Sequence, residues 1–461
     1  MTEAFPPPEP AERGGPDVTA DARPFHRLSP LTPVVRGSIF VVAVAATTWD
    51  DLLSGNLGVF AGIMLAVLLA GALYGWASWL RTRYWIDDRE LHIDTGVVYH
   101  QSRRIRIDRL QGIDIVQPFV ARLFGLAELK MDVAGGDKEG SLAFLPLAEA
   151  HRVRQVLLDR RDAVRRTEGL PPDADLEPEP AWAPPDHDIA VLDLRTLLLS
   201  TLLSPETIAL LLSGLVFAVS AVFVGGLVVA PGLPVIVGFG LVVVRRFSGY
   251  YGFTVSQTRV GLQVRRGLFD RNTQTITLAR VQGIVVSEPV LWRPFGWAKL
   301  DVSVAGAGGT SETDGGPSAT TVMPVADLAV VHALATHLLS GDDADVDADV
   351  TAVDLAPPPR RARWVDPIAR RFMGVGIGSD LVVARHGWFT RSTHAVRHVR
   401  VQSVRLSQGP LQRRLGLADV HVDSPPGPVH VRARHRDAAE ARRLWETEER
   451  RAREARSSGA R

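Results

Sequence analysis

The residues of this sequence whose types and spacing could do chemistry form a polar triplet written three times. Arg109-Leu110-Gln111, Arg280-Val281-Gln282 and Arg400-Val401-Gln402 each sit inside a longer ladder of matched residues. In the first copy Gly96, Gln111, Arg122 and Gly125 are separated by fifteen, eleven and three positions. The same intervals recur at Gly267, Gln282, Arg293 and Gly296, and at Gly387, Gln402, Arg413 and Gly416. Functionally, the arginines and glutamines could line a repeated ligand or partner surface. Structurally, a glutamine at a fixed strand position satisfies backbone groups at a sheet edge or bend, and diverged copies keep what folding requires. The structural reading is preferred. Gly96, Arg109, Gln111, Arg122, Gly125, Gly267, Arg280, Gln282, Arg293, Gly296, Gly387, Arg400, Gln402, Arg413 and Gly416 are thus expected to be fold residues of one triplicated module.

Other chemistry is thin. His386, His394, His398, His421, His430 and His435 gather in the third copy, and the shared parity of His394 and His398 predicts that they face one way. No acid close by completes a metal-ligand set. The run Met373-Gly374-Val375-Gly376-Ile377-Gly378 lacks the G-x-G-x-x-G spacing and a following helix, so it is not read as a phosphate loop. No Ser/His/Asp arrangement stands in a fitting context. The chain has no cysteine, which removes disulfides, thiolate metal sites and cysteine nucleophiles. A non-enzymatic protein without cofactor or metal is expected. A formal net charge of +1 supplies no global field toward nucleic acid.

The elements that position these residues begin with apolar blocks. Leu57 to Trp79 is uncharged and long enough to cross a bilayer core of ~30 Å. Val34 to Leu53 precedes it, suggesting a helical hairpin. Thr207 to Val244 is long enough for a second hairpin, broken near Gly225-Gly226 or Pro231-Gly232, with Ser204-Pro205-Glu206 reading as a helix start. Arg23, Arg27, Arg36, Arg81, Arg83, Arg195, Arg245 and Arg246 flank the hairpins while their turns carry only Asp50-Asp51 or no charge. That asymmetry predicts a cytoplasmic N-terminus and cytoplasmic modules. No acid, lysine or histidine lies within the spans, which argues against a transporter. No cleavable signal peptide is evident before the first apolar block.

Between the blocks the pattern is strand-like. Tyr84-Trp85-Ile86, Leu91-His92-Ile93, Val97-Val98-Tyr99, Ile105-Arg106-Ile107, Ile113-Asp114-Ile115 and Leu129 to Val133 alternate or break at turn residues. A helix from Pro146 to about Arg161 follows, with counterparts at Pro324 to Leu339 and about Arg436 to Ala455. Roughly seven strands and one helix predict a small β-sandwich or open barrel with a helical lid. The tract Tyr84-Trp85-Ile86, Leu91 to Gly96, Ile105, Arg109 to Ile115 and Arg122 to Ala127, directly after an apolar hairpin, resembles the bacterial pleckstrin-homology-like (PH-like) membrane proteins of the YdbS/YdbT type. His26-Arg27-Leu28-Ser29-Pro30-Leu31 looks like that family's entry to its first span. The resemblance implies a PH-like fold, a multi-pass inner-membrane location, no known catalysis and a proposed link to envelope stress and antimicrobial-peptide resistance.

The expected fold class is an α+β membrane protein, with two transmembrane hairpins of four helices in total and three PH-like modules each capped by a helix. The expected division is a tail at 1–30, hairpin 1 at 31–80, module 1 at 81–162, a Pro/acidic linker at 163–190, an interfacial segment and hairpin 2 at 191–247, module 2 at 248–340, an acidic/Pro linker at 341–367, module 3 at 368–456 and a tail at 457–461. That second linker is expected to tether module 3 flexibly. The expected function is a membrane scaffold that displays its modules for protein interaction or self-assembly. Its expected partners are membrane lipids and either further copies or a smaller single-module PH-like membrane protein. The alternative is a sensor of anionic lipid headgroups, with Arg81, Arg83, Arg103, Arg104, Arg245 and Arg246 as candidate contacts. Arg106, Arg385 and the pair Arg265-Arg266, placed in a turn, would extend that surface.

Overall fold

Alternating apolar residues, interrupted every few positions by Gly, Asp or Asn, fold each copy of the ladder into short antiparallel strands followed by one helix. The computed structural model describes residues 26–27, 57–87, 89–95, 101–133, 140–167, 187–224, 229–258, 261–305, 320–341, 346–425 and 427–458. Gly96, the expected strand at 97–99, the expected first span at 34–53, the break at Gly225-Gly226 and most of the linker at 163–190 lie outside the described residues.

Module 1 comprises β1 (His26–Arg27), α1 (Leu57–Arg81), β2 (Arg83–Ile86), β3 (Glu90–Thr95), β4 (Gln101–Arg106), β5 (Leu110–Gln117), α2 (Phe119–Leu123), β6 (Leu126–Val133), β7 (Gly140–Pro146) and α3 (Leu147–Thr167). Module 2 repeats that order with β8 (His187–Val191), α4 (Leu194–Leu202), α5 (Pro205–Val224), α6 (Val229–Tyr250), β9 (Thr254–Thr258), β10 (Gly261–Arg266), β11 (Arg271–Thr277), β12 (Val281–Pro289), β13 (Trp297–Val304), β14 (Thr321–Asp327) and α7 (Leu328–Ser340). Module 3 has β15 (Gly374–Ile377), β16 (Leu381–His386), β17 (Thr390–Arg397), β18 (Ser403–Ser407), α8 (Pro410–Leu415), β19 (Leu417–Asp423), β20 (Val431–Asp437) and α9 (Ala438–Ser458). In every module a 3-10 turn that ends on the triplet arginine carries the chain from a first sheet to a second. All three helix starts fall later than expected. Pro146 closes β7, Pro324 lies in β14, both edge strands where proline is tolerated, and Arg436 lies in β20, so the helices begin at Leu147, Leu328 and Ala438.

The sequence pattern predicts separate sandwiches or barrels, whereas the sheets run across module boundaries. The strand orders are β1-β2-β3-β4, β7-β6-β5-β11-β10-β9-β8, β14-β13-β12-β17-β16-β15 and β18-β19-β20. The second sheet of module 1 therefore continues into the first sheet of module 2, and the second sheet of module 2 into the first of module 3. At the first boundary Ile115, Val116 and Gln117 face Thr273, Asn272 and Arg271; at the second Val286, Ser287 and Glu288 face Thr393, Ser392 and Arg391. Counted from the ladders, these registers are the same. The apolar cores follow the sheets. Leu381, Val383 and Ala395 of module 3 join the core built on Phe253, Trp292 and Leu300, and Val285 of module 2 joins that of module 3.

The expected flexible tether is corrected by the same packing. Ala348 and Val350 are buried, Val353 and Leu355 pack on the module 2 core, and Ala356 bridges to Val375. Close passage of this segment explains the glycine run. A Cβ on Gly374 would stand 3.0 Å from Leu355 Cβ, and one on Gly376 would collide with the Asp354 carbonyl.

Helix α1 presents apolar surface that no other described residue covers. Leu65, Leu69, Leu73 and Trp76 on α1 are all more than half exposed. Among the described residues α1 is the one helix long and apolar enough to cross a membrane by itself, over Ala61–Ser78; α4 with the start of α5, bent by 50°, passes as a pair. The expected four spans are thus met only in part. Helices α5 and α6 pack antiparallel, joined by an Arg246 to Glu206 ion pair of 2.7 Å. The Ser204 hydroxyl accepts the Thr207 N–H, as a helix cap should.

Candidate functional site

The ladder residues meet at the module boundaries. Hairpin turns after β10 and β16 place Gly267 and Gly387 at φ of 111° and 96°, where an L side chain would strike the carbonyl three residues on. Each turn thereby presents its next carbonyl outward. Arg122 Nη1 of module 1 donates to the Leu268 carbonyl of module 2 at 3.0 Å, and Arg293 Nη2 of module 2 donates to the Trp388 carbonyl of module 3 at 2.8 Å. Beside these bonds the Phe119 N–H donates to Asp270 and the Val290 N–H to the Phe389 carbonyl. Phe119 also packs edge-on against Phe269 at 5.7 Å. Gly125, Gly296 and Gly416 take left-handed φ near 65° just after the arginine.

Of the triplets, Arg400 reaches across a boundary while Arg280 and Gln282 bond within their own module. Arg280 donates to the Ala305 carbonyl within module 2, and Arg400 reaches back from module 3 to the Ala279 carbonyl. Gln282 is buried and donates to the Arg280 carbonyl at 3.1 Å. Gln402, its counterpart, is exposed, and so is Arg109. The side chain of Gln111 lies outside the described residues. The contrast between Gln282 and Gln402 has a simple cause, because among the described residues β12 pairs with β17 whereas β18 has no strand on its outer edge. Leu406 is 44% exposed where its counterpart Val286 is 1% exposed. The Arg413 guanidinium, matching Arg122 and Arg293, is exposed and makes no hydrogen bond or ion pair among the described residues.

A cleft of about 200 Å³ opens where β5 and β11 diverge past their short pairing. It is lined by Arg154, Arg265, Arg271, His151, Gln117 and Gln263, with Thr273, Thr275 and apolar residues between them. Arg154 Nε donates to the Ile113 carbonyl at 3.0 Å, and Arg265 is held by Gln263 Oε1 at 2.6 and 2.9 Å. Burial holds the Arg154 pKa below its ordinary value, with Asp114 opposing the shift; burial and then Arg154 do the same to His151. Three guanidiniums and two amides converge there with no carboxylate in the lining. Such a set suits a small anion.

The bacterial PH domain family matches the chain over residues 38–161, 201–341 and 359–452. The chain belongs to that family. The three matches coincide with the three bacterial PH modules; the first two begin between a module's first and second strands, and the third begins between Ala356 and β15. Outside the family description, the chain is 25% identical over 285 residues to the UPF0699 transmembrane protein YdbT of Bacillus subtilis (strain 168). That match covers 55% of each chain, so this chain spans about half the length of the curated relative it matches.

The remaining predicted site residues scatter over the bacterial PH modules. Arg103 and Arg104 lie exposed on edge strand β4; Arg81 and Arg83 bracket the α1 to β2 corner; Arg245 and Arg246 lie in the last turns of α6. Arg265 and Arg266 are not in a turn but in β10, and Arg385 is in β16. Arg266 is buried, and that burial lowers its pKa. His394 lies in β17 and His398 in the 3-10 turn that follows it, and both side chains are buried. His398 meets Glu448 of α9 at 2.8 Å. His394 stacks on His386 with ring centroids 4.7 Å apart, and its Nδ1 accepts the His430 N–H at 3.1 Å. Among the described residues no group of three or more His, Asp or Glu side chains could hold a metal ion. Sequence reading missed Arg154, His151 and Gln263, which come together only through the crossing of module 1 by β10 and β11.

Two outcomes follow. Replacing Arg122 or Arg293 by Met should cost about 1–2 kcal/mol in urea unfolding, since a carbonyl loses a charged donor, whereas Arg413→Met should cost nothing measurable. Equal losses at all three would contradict the junction role. Burial and then Arg434 hold His386 at about 4, and burial and then His386 hold His394 at about 3. Both values lie below the ordinary ~6.5 of an unfolded histidine, so their contribution to stability is complete above about pH 6.5 and falls away as pH drops toward 4 and 3. Their ring proton shifts should still report neutral imidazoles at about pH 5.5, and titration near the ordinary value would contradict this.

Proposed function

We propose that the chain is a non-enzymatic, multi-pass scaffold of the bacterial inner membrane, with its modules on the cytoplasmic side set by the flanking arginines. One observation carries this reading: neighbouring modules join by continuing each other's sheets in a repeated register, and module 3 leaves the equivalent edge, β18, open. An open edge with Leu406 exposed beside Arg413 is fitted to receive another module's hairpin by strand addition. In the repeated register β4 of a second copy would set Arg103 against Arg405 and Arg104 against Val404. Like charges directly opposite disfavour pairing. This favours a separate single-module PH-like membrane protein over an end-to-end stack of identical chains. A role in envelope stress or antimicrobial-peptide resistance rests on the resemblance alone.

The second reading, a sensor of anionic headgroups, is favoured by the cationic cleft between modules 1 and 2. Native mass spectrometry of the full chain from its own membranes separates the two. The scaffold reading expects a second small subunit that is lost in Leu406→Asp, a change at an exposed side chain. A monomer without partner sinks it. If inorganic phosphate raises the melting temperature of that monomer and Arg265→Gln with Arg271→Gln abolishes the rise, the sensor reading takes its place.

A further inference from the structure

The insertions into the three modules share one topological position. In module 1, α1 lies between β1 and β2; in module 2, α4, α5 and α6 lie between β8 and β9. In module 3 the same position, between Ala356 and β15, holds two 3-10 turns, Arg360–Trp364 and Ala369–Phe372. The step from module 1 to module 2 carries one set of apolar helices onto another, and both sets enter the same bilayer. A step that keeps the membrane plane once keeps it again, and the second boundary repeats the register of the first. Module 3 therefore brings its insertion to the same plane without crossing it.

The chemistry of the insertion matches that place. Trp364 is 69% exposed and Ile368 59% exposed, yet the turns that carry them are firmly held. Ala362 is fully buried, Arg361 is bound to the Gly416 carbonyl and to Asp437, Arg370 donates to the Pro358 carbonyl at 3.1 Å, and Asp366 caps the Ala369 N–H at 2.9 Å. The Arg363 guanidinium lies 5.3 Å over the Trp364 ring, and Arg360 and Arg371 are exposed nearby. Tryptophan beside arginine is the composition of the headgroup layer. The counterpart in module 2, α4, likewise exposes Leu194, Leu198, Leu199 and Leu202.

We infer that Arg360–Phe372 is a peripheral anchor, in which Trp364 and Ile368 enter the headgroup layer and Arg360, Arg363 and Arg371 meet anionic lipid phosphates. The inference rests on the membrane reading above. The chain has no cysteine, so single probes can be placed cleanly. Full-length Ile368→Cys, Leu73→Cys and Arg450→Cys, carrying a fluorophore and set in nanodiscs of phosphatidylglycerol and phosphatidylcholine, would be quenched by doxyl lipids. The probe at 368 should be quenched several-fold more than that at 450, and the difference should at least halve in pure phosphatidylcholine while the probe at 73 is unchanged. Quenching at 73 with 368 no different from 450 overturns the anchor and leaves the membrane reading standing. No quenching at 73 overturns the membrane reading itself. Equal quenching at 368 in both lipid mixtures overturns the anionic contact.

Discussion

The free edge of a β-sheet is the constraint on which this structure depends. Every edge strand carries backbone N–H and C=O groups that must find partners, and an open edge is a template for another strand. Each module divides its strands between two small sheets, and the divided sheets complete each other across the boundaries. The backbone need that holds β5 to β11 and β12 to β17 also turns three modules into one array. The repeated arginine adds direction. It belongs to the module that offers an edge, and the carbonyl it binds belongs to the hairpin that fills it.

That constraint also orders the relation to the membrane. The apolar helices are inserted between the first two strands of modules 1 and 2, so strand pairing fixes where each helix leaves its sheet. A rigid array then transmits the position of one insertion to the next. Module 3 departs from the others in having a short, arginine-rich insertion in place of helices, and in the linker before it that packs instead of swinging free. The cleft at the first boundary arises from the same geometry. Its strands pair briefly before diverging, and polar side chains from two modules line the gap.

Much of the module was legible in the residues. Period-two alternation marked the strands, and uncharged runs marked α1 and α5. What was not legible was which strands would pair. Val281 to Val286 of β12 are buried in the structure, and the strand they pair with, β17, is more than a hundred positions away. The triplet glutamine, expected to be a fold residue, is buried against a backbone carbonyl at Gln282, while the later ladder arginines at Arg122 and Arg293 make the bonds between modules. The acidic and Pro-rich composition of 341–367 suggested a tether, yet its apolar residues Val350, Val353 and Leu355 suffice to dock it. The cleft could not be seen in advance, since Arg154 and Arg265 are brought together only by the boundary.

The central claim is the shared register of the two boundaries, and disulfide trapping in the cysteine-free chain tests it most directly. Ile115→Cys with Thr273→Cys, and Val286→Cys with Thr393→Cys, place thiols on directly opposed residues. Both pairs should close on mild oxidation in the membrane, while Ile113→Cys with Thr273→Cys and Ile284→Cys with Thr393→Cys stay open. Failure of both opposed pairs, or equal closure of the displaced ones, would contradict the account.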